Sequence, residues 1–375
     1  MDDRIRVLRQ PTIRVLRKSL LAWFDQHARD LPWRTPTRDP YAVWVSETML
    51  QQTRVATVIP YFHRFMDRFP TLDSLASAPI DDVLAAWSGL GYYRRARSMH
   101  AAANRLVGEG KTSLPSDHAA LLSYPGIGNY TAAAISSIAF GQVVPVVDGN
   151  VIRVLARLTD DDEPVGTTTA TKRTRSVAEQ LIDPDRPGAF NEAMMELGAT
   201  VCVPGVPVCG ECPWQQRCRG LRAGRVEDLP VVPEKGASPR VILDALVVTD
   251  GAQVLLCQRM VDGLFGGLWE PPMLEARGRG NDRVVLDGQV GALVGGAVTR
   301  NGERVRGRIV HVLTHRILDV RVHRWVVAKR SLSDEVALGS TYERVQWVSC
   351  DELPSRGMSS LAVKVLAKAG IDISR

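Results

Sequence analysis

Cys202-Val-Pro-Gly-Val-Pro-Val-Cys209-Gly-Glu-Cys212-Pro-Trp-Gln-Gln-Arg-Cys218 gathers four of the chain's six cysteines into one short segment. Their spacing is C-x6-C-x2-C-x5-C. Four thiolates this close can wrap one metal centre, and all-cysteine sets of four bind either tetrahedral zinc or an iron–sulfur cluster. Zinc ligands usually come as two close cysteine pairs. The long first gap and the single C-x2-C suit a looser loop, so the spacing favours a cube-shaped cluster over zinc. Disulfides are the remaining reading; nothing at the N-terminus looks secretory, which counts against them. Cys257 and Cys350 stand apart and read as buried, inert thiols.

Upstream of this loop, residues 11–200 read as helix after helix, with no convincing strand. Ile13, Leu16, Leu20, Leu21 and Phe24 recur at helical spacing. Asp39-Pro40 opens a helix over 41–52, and a helix over 54–69 contains Pro60, which should kink or divide it. Thr71 and Pro79 open shorter helices, and Gly89 and Gly91 interrupt before Tyr92. Ser116 can cap a helix ending at Tyr124-Pro125-Gly126, and another runs from about Asn129 to Phe140. The first domain is therefore an all-α unit over 1–220, closed by the cysteine loop. Residues 221–239, where Gly, Pro and charge displace periodic apolar residues, read as a linker. Beyond it, 240–248 and 253–259 are β-rich runs flanking Asp250-Gly251, a hairpin signal. Further strands at 320–327 and 344–348 and a helix at 359–368 make the second domain, 240–375, α+β.

A chain of 375 residues, 45% of them hydrophobic, is long enough for two cores. No apolar run is long enough to span a membrane. Lys and Arg number 47 against 41 Asp and Glu, and the net charge of +6 is compatible with a polyanionic partner. Arg-rich residues 4–17 raise a transit peptide, but Asp2, Asp3 and the scarcity of Ser argue against one. The reading is a soluble, cytoplasmic monomer, nucleoid-associated if bacterial.

Tyr124-Pro125-Gly126-Ile127-Gly128 between two short helices is a helix–hairpin–helix signature. Its glycines let the backbone turn and approach a ligand, and amides at the next helix start can hold a phosphate. The bland alternative is an ordinary helix–helix turn. Asp148, in Val147-Asp148-Gly149-Asn150, precedes an apparent helix and has two readings. It is a plain N-cap, or a carboxylate that helix amides keep ionised at low pKa beside a developing positive charge. Glu47 has Val43, Trp44, Leu50 and Gln51 as its helical neighbours. It is either the polar border of that helix or a buried acid with a raised pKa. One protonated and one charged carboxylate are the equipment for breaking a glycosidic bond. In duplex DNA the base must also be flipped out and the gap filled, with Gln51, Gln52, Tyr92 and Tyr93 as candidate plugs.

Leu31-Pro-Trp-Arg34, Pro40-Tyr41, Ser46-Glu47-Thr-Met-Leu-Gln-Gln-Thr53, Gly89-Leu-Gly-Tyr-Tyr93, the hairpin, Val147-Asp148-Gly-Asn150 and the four cysteines stand in one order. Together they resemble the adenine DNA glycosylases of the MutY family over about 20–370. The resemblance implies a helix–hairpin–helix enzyme with one [4Fe–4S] cluster on Cys202, Cys209, Cys212 and Cys218. Its substrate would be double-stranded DNA with adenine opposite 8-oxoguanine or guanine. Glu47 matches the acid that protonates adenine, and Asp148, supported by Asn150, matches the stabiliser of the sugar cation. Tyr130 takes the place of the catalytic lysine of bifunctional relatives such as endonuclease III, so a strong lyase activity should be absent. Arg34, Leu50 and Glu192 match positions around the extruded adenine. Gln52 and Tyr92 match residues wedged near the lesion pair, and Gly126 and Gly128 match the hairpin.

The second domain resembles the family's Nudix-like domain through Gly266-Gly267-Leu268-Trp269-Glu270-Pro271-Pro272. The magnesium-binding acidic run is missing, Arg277, Arg279 and Arg283 standing after Glu275, so nucleotide hydrolysis is not expected. The family's Phe-Ser-His lesion-sensing loop appears as Leu313-Thr314-His315, with leucine in place of the ring. Two other readings compete: a glycosylase/lyase for oxidised pyrimidines, and a non-catalytic DNA-binding sensor built on the cluster.

Overall fold

The computed structural model describes residues 8–234, 236–276, 283–295, 307–327 and 341–373; Asp2, Asp3, Arg277 and Arg279 lie outside them. By contact the chain forms two compact units, Met1–Ala76 with Ala101–Lys235, and Ser77–His100 with Gly236–Arg375. The segment Ser77–His100 thus groups with the second unit although it lies within the helical stretch of the sequence.

Up to residue 234 the described chain is helical: α1 (Gln10–His27), α2 (Pro40–Leu50), α3 (Val55–Arg68), α4 (Leu72–Ser77), α5 (Ile80–Trp87), α6 (Arg94–Gly108), α7 (His118–Leu121), α8 (Asn129–Ile138), α9 (Gly149–Thr159), α10 (Thr168–Leu181), α11 (Pro187–Thr200) and α12 (Arg219–Arg222). The stripe Ile13, Leu16, Leu20, Leu21 and Phe24 is the buried face of α1. It packs on Val154, Leu155 and Leu158 of α9, Leu181 of α10, and Phe190, Met194 and Leu197 of α11. Trp214, between Cys212 and Cys218, enters the same core and donates its indole N–H to the Leu16 carbonyl at 2.9 Å. A fully buried large apolar side chain is worth about 1.5–3 kcal/mol, so Trp214 ties down the cysteine loop independently of its thiols.

Helix α2 starts at Pro40 behind Asp39, whose carboxylate accepts the Tyr41 amide at 3.0 Å. It buries Tyr41 and every side chain from Val43 to Met49, Glu47 among them. Two local expectations are corrected. Helix α3 continues undivided past Pro60, and the cap of α7 is Asp117, not Ser116, accepting the Ala120 amide at 2.8 Å.

The second unit carries one mixed sheet built from β1 (Arg240–Thr249), β2 (Gln253–Arg259), β3 (Trp269–Glu270), β4 (Met273–Glu275), β5 (Gly307–Val312), β6 (Ile317–Val326) and β7 (Tyr342–Ser349). The order β3-β2-β1-β6-β5 has β1 and β6 parallel; β4 also pairs with β1, and β7 with β2. At the expected hairpin the Asp250 carboxylate accepts the Ala252 and Gln253 amides at 2.9 and 2.7 Å. Each face of the sheet packs a helix. Helix α13 (Arg283–Val294) brings Leu286, Val290 and Val294 against Leu246, Val248 and Trp325. On the other face α14 (Ser360–Lys368) brings Leu361, Val365 and Leu366 against Val247, Leu256 and Val320.

Candidate active site

Arg34, Glu47, Leu50, Tyr130, Asp148, Asn150 and Glu192 all line one cavity of about 140 Å³ in the first unit. The loop before α2, α2 itself, and the starts of α8 and α9 supply its walls, with α11 as the floor. Glu47 is only 5% exposed. Burial drives its carboxyl up to about 7; the Tyr130 hydrogen bond opposes this, the negative Glu192 and Asp148 reinforce it, and Arg34 pulls it down. The Tyr130 hydroxyl donates to Glu47 Oε2 and also contacts Met195 Sδ at 3.6 Å. Burial and the neighbouring carboxylates raise the Tyr130 pKa well above the phenol range, so the ring remains a neutral donor. Glu47 is therefore a buried acid and not the polar border of α2.

Asp148 is the N-cap of α9: Oδ1 accepts the Val151 amide at 2.8 Å and Oδ2 accepts Asn150 Nδ2 at 2.9 Å. The N-cap reading holds, and the capping residue also lines the cavity. The direction of its pKa corrects the sequence expectation. Burial raises it above the usual aspartate value, against hydrogen bonds from Val151 and Asn150 that favour the charged form. Arg153 extends this arrangement. It donates to Asn150 Oδ1 at 2.8 Å, to the Gly198 carbonyl at 2.7 Å and to the Cys202 carbonyl at 2.7 Å. A string of hydrogen bonds thus joins the Asp148 carboxylate to the first cysteine of the loop.

Of three residues unread in the sequence, Arg29 and Glu196 line the cavity and Arg38 pairs with its Glu192. Glu192 and Glu196, one turn apart on α11, are clamped by Arg29, Arg34 and Arg38. Arg34 bridges both carboxylates, at 3.0 Å to Glu192 and 3.2 Å to Glu196. Burial pushes the Glu196 carboxyl up, but the arginines outweigh it and hold it below its ordinary value. Buried carboxylates persist charged only with such partners. Glu196 was readable as a helical i+4 repeat of Glu192; Arg29 and Arg38 gave no local signal.

The remaining candidates lie elsewhere. Gly126 needs its glycine, with φ +75. Gly128 has extended backbone and caps α8, and a Cβ there would meet nothing within 4 Å. Gln52 and Tyr92 are two of four non-glycine residues with positive φ among the described residues. Gln51 donates to Thr131 Oγ1 at 3.1 Å. Tyr93 is buried and donates to the Met358 carbonyl, which removes it as a plug. Thr314 and His315 are exposed at the β5–β6 turn of the second unit, with Tyr92 hydrogen-bonded to Thr314 at 2.8 Å.

Cys202, Cys209, Cys212 and Cys218 border one small cavity of about 30 Å³ together with Arg157, Val201, Pro207 and Leu221. Among the described residues, no three His, Cys, Asp or Glu side chains converge as ligands of a single metal ion. Burial raises the Cys209, Cys212 and Cys218 thiols, and ionised neighbouring cysteines raise them further. Ionising the set is therefore costly without a compensating cation. Arg157, fully buried, braces the loop through the Val203, Gly205 and Leu229 carbonyls at 2.8, 3.1 and 3.0 Å.

Residues 45–184 match the family described as HhH-GPD superfamily base excision DNA repair protein, and residues 244–368 match the NUDIX domain. The rat protein named adenine DNA glycosylase is 36% identical, the match covering 94% of this chain and 77% of the rat protein. Its human namesake is also 36% identical, over 94% of this chain and 73% of its own. Among solved structures, a thermostable thymine-DNA glycosylase superposes with a TM-score of 0.51 at 25% identity, over 56% of this chain and 97% of its own. By the breadth of these matches, the chain belongs to the family of adenine DNA glycosylases.

Proposed function

We propose that this DNA glycosylase removes adenine mispaired with 8-oxoguanine, or with guanine, by hydrolysis and without a lyase step. One observation carries the reading: Glu47, with a pKa near 7, and Asp148, a helix cap, line the same cavity. Protonated Glu47 donates its proton to the flipped adenine, at the purine N7. The C1′–N9 bond then breaks and its electron pair leaves with the neutral base. The deoxyribose becomes an oxocarbenium-like cation, which the Asp148 carboxylate stabilises through space. A water adds at C1′ and its proton returns to Glu47. Tyr130 orients the Glu47 carboxyl, and Arg34 with Glu192 holds the adenine edge beside Leu50. Tyr130 has no amine, so no Schiff base forms and borohydride should trap no adduct.

Recognition of the lesion pair falls to Gln52 and Tyr92 as wedges, to Thr314 and His315 at the exposed turn, and to Gly126 and Gly128 at the backbone. Cys202, Cys209, Cys212 and Cys218 would hold a [4Fe–4S] cluster, which supplies rigidity and no step, since this hydrolysis moves no electrons. Arg217 and Arg219, within and beside the loop, would then meet phosphates. The test is single-turnover excision from duplexes carrying adenine opposite 8-oxoguanine, guanine, thymine or cytosine. The first two should release adenine, and Glu47→Gln should lose roughly 10²- to 10⁴-fold in rate. Wild-type speed in that variant would overturn the assignment.

A further inference from the structure

Between α5 and α6 the chain turns through Gly89 at φ +104, Gly91 at φ +73 and Tyr92 at φ +50. The left-handed region suits glycine but strains a residue with a Cβ, so the surroundings must hold Tyr92 there. Its side chain gains little from burial, being 47% exposed. What it does have is a cation. The Arg95 guanidinium lies over the Tyr92 ring, 5.3 Å from its centroid, and over the Trp87 ring at 5.5 Å. Arg95 Nη2 also donates to the Gly91 carbonyl at 3.2 Å, and the same carbonyl accepts Trp87 Nε1 at 3.1 Å. Trp87 is fully buried, which gives the stack a fixed base. Burial brings the Arg95 pKa down to about 10, so the group remains cationic at neutral pH. At the other end of the tyrosine, its hydroxyl shares the hydrogen bond with Thr314.

We infer that Arg95 is a positioning residue for lesion discrimination, its guanidinium fixing the Tyr92 ring from Trp87 and the Gly91 carbonyl and, through that ring, Thr314. This rests on the wedge role given to Tyr92 above. Arg95 touches no reacting atom and sets only where the ring stands. A planar guanidinium over an aromatic face is suited to this in a way that an ammonium is not. Attraction of this kind amounts to roughly a 2- to 30-fold equilibrium preference.

The experiment is a double-mutant cycle on the full-length protein with Arg95→Met and Tyr92→Leu. Single-turnover excision is read on duplexes with adenine opposite 8-oxoguanine and opposite guanine. Arg95→Met should cut the preference for the 8-oxoguanine duplex by roughly 2- to 30-fold, in the range of the attraction it removes. In the Tyr92→Leu background the same change should cost nothing further, because the ring it holds is gone. The pH midpoint of excision should be identical in all four proteins. If Arg95→Met does not fold, Arg95→Lys takes its place in the cycle, keeping the charge but losing the planar stack. An equal loss with and without Tyr92, or no change in preference, overturns the inference while leaving the glycosylase reading intact. If the wild type releases no adenine from either duplex, the reading itself fails and the inference falls with it.

Discussion

Replacing the acid that defines the cavity should make the protein more stable. The Glu47 carboxyl titrates at about 7 in the folded chain, against an ordinary value of 4.5, and burial is the main cause. Below pH 4.5 the group is neutral in both folded and unfolded chains, and Glu47→Gln should change little. Between 4.5 and about 7 the unfolded chain loses its proton first, and stability drains away as pH rises. Above both values the full difference applies: about 2.5 decades at 1.36 kcal/mol each, or about 3 kcal/mol. Glutamine has the same shape without the ionisation, and its carbonyl can still accept the Tyr130 hydroxyl. Urea titrations of wild type and Glu47→Gln, followed by tryptophan fluorescence, give the difference directly. It should be under about 1 kcal/mol at pH 5 and about 3 kcal/mol at pH 8, with the variant the more stable. A variant no more stable than wild type at pH 8, or a difference that shrinks as pH rises, would refute a buried, protonated Glu47. Holding an acid in a buried site costs stability wherever its charged form is the stable one in water.

The excision rate should follow the same proton. With a midpoint near 7, the protonated fraction falls from about 0.9 at pH 6 to about 0.1 at pH 8, a roughly tenfold loss in single-turnover rate. Tyr130→Phe removes a donor to the charged form and should move that midpoint to higher pH; a flat profile would count against both residues. Gly198→Ala places a Cβ 2.6 Å from the Asn150 Cβ, so it should cost about 1–3 kcal/mol in denaturation and slow excision by displacing the support of Asp148. Gly128→Ala meets nothing within 4 Å and should fold normally, yet weaken duplex binding in a titration if DNA backbone approaches that surface. Cys209→Ser should abolish the visible absorption of an iron–sulfur centre and weaken DNA binding; wild-type protein purified without such absorption would end the cluster assignment.

What the sequence made legible was whatever depends on near neighbours. The stripe of α1, the Asp39-Pro40 start of α2, the Asp250-Gly251 hairpin and the apolar flanks of Glu47 are all signals within a few residues. The arginine clamp was not legible, because Arg38 meets Glu192 across 154 residues and only the packing of α11 brings them together. Asp148 shows the same limit in its energetics. Its capping bonds can be read locally, but the burial that outweighs them is set by the tertiary packing around the cavity. Tyr92 and Tyr93 are adjacent and chemically identical, and a single left-handed backbone angle leaves one outside and sends the other into the interior.

The grouping of Ser77–His100 with the second unit bears on anyone dividing this protein into pieces. Ser88 and Tyr93 both donate to the Met358 carbonyl, at 2.7 and 2.8 Å, and Gln258 reaches Asp81 at 3.3 Å. A fragment stopped at residue 235 would keep Ser88 and Tyr93 without the carbonyl they donate to, and Asp81 without the Gln258 amide that donates to it. Such a truncation is a lesion in its own right, and low activity from it would say nothing about the chemistry proposed for the helical unit.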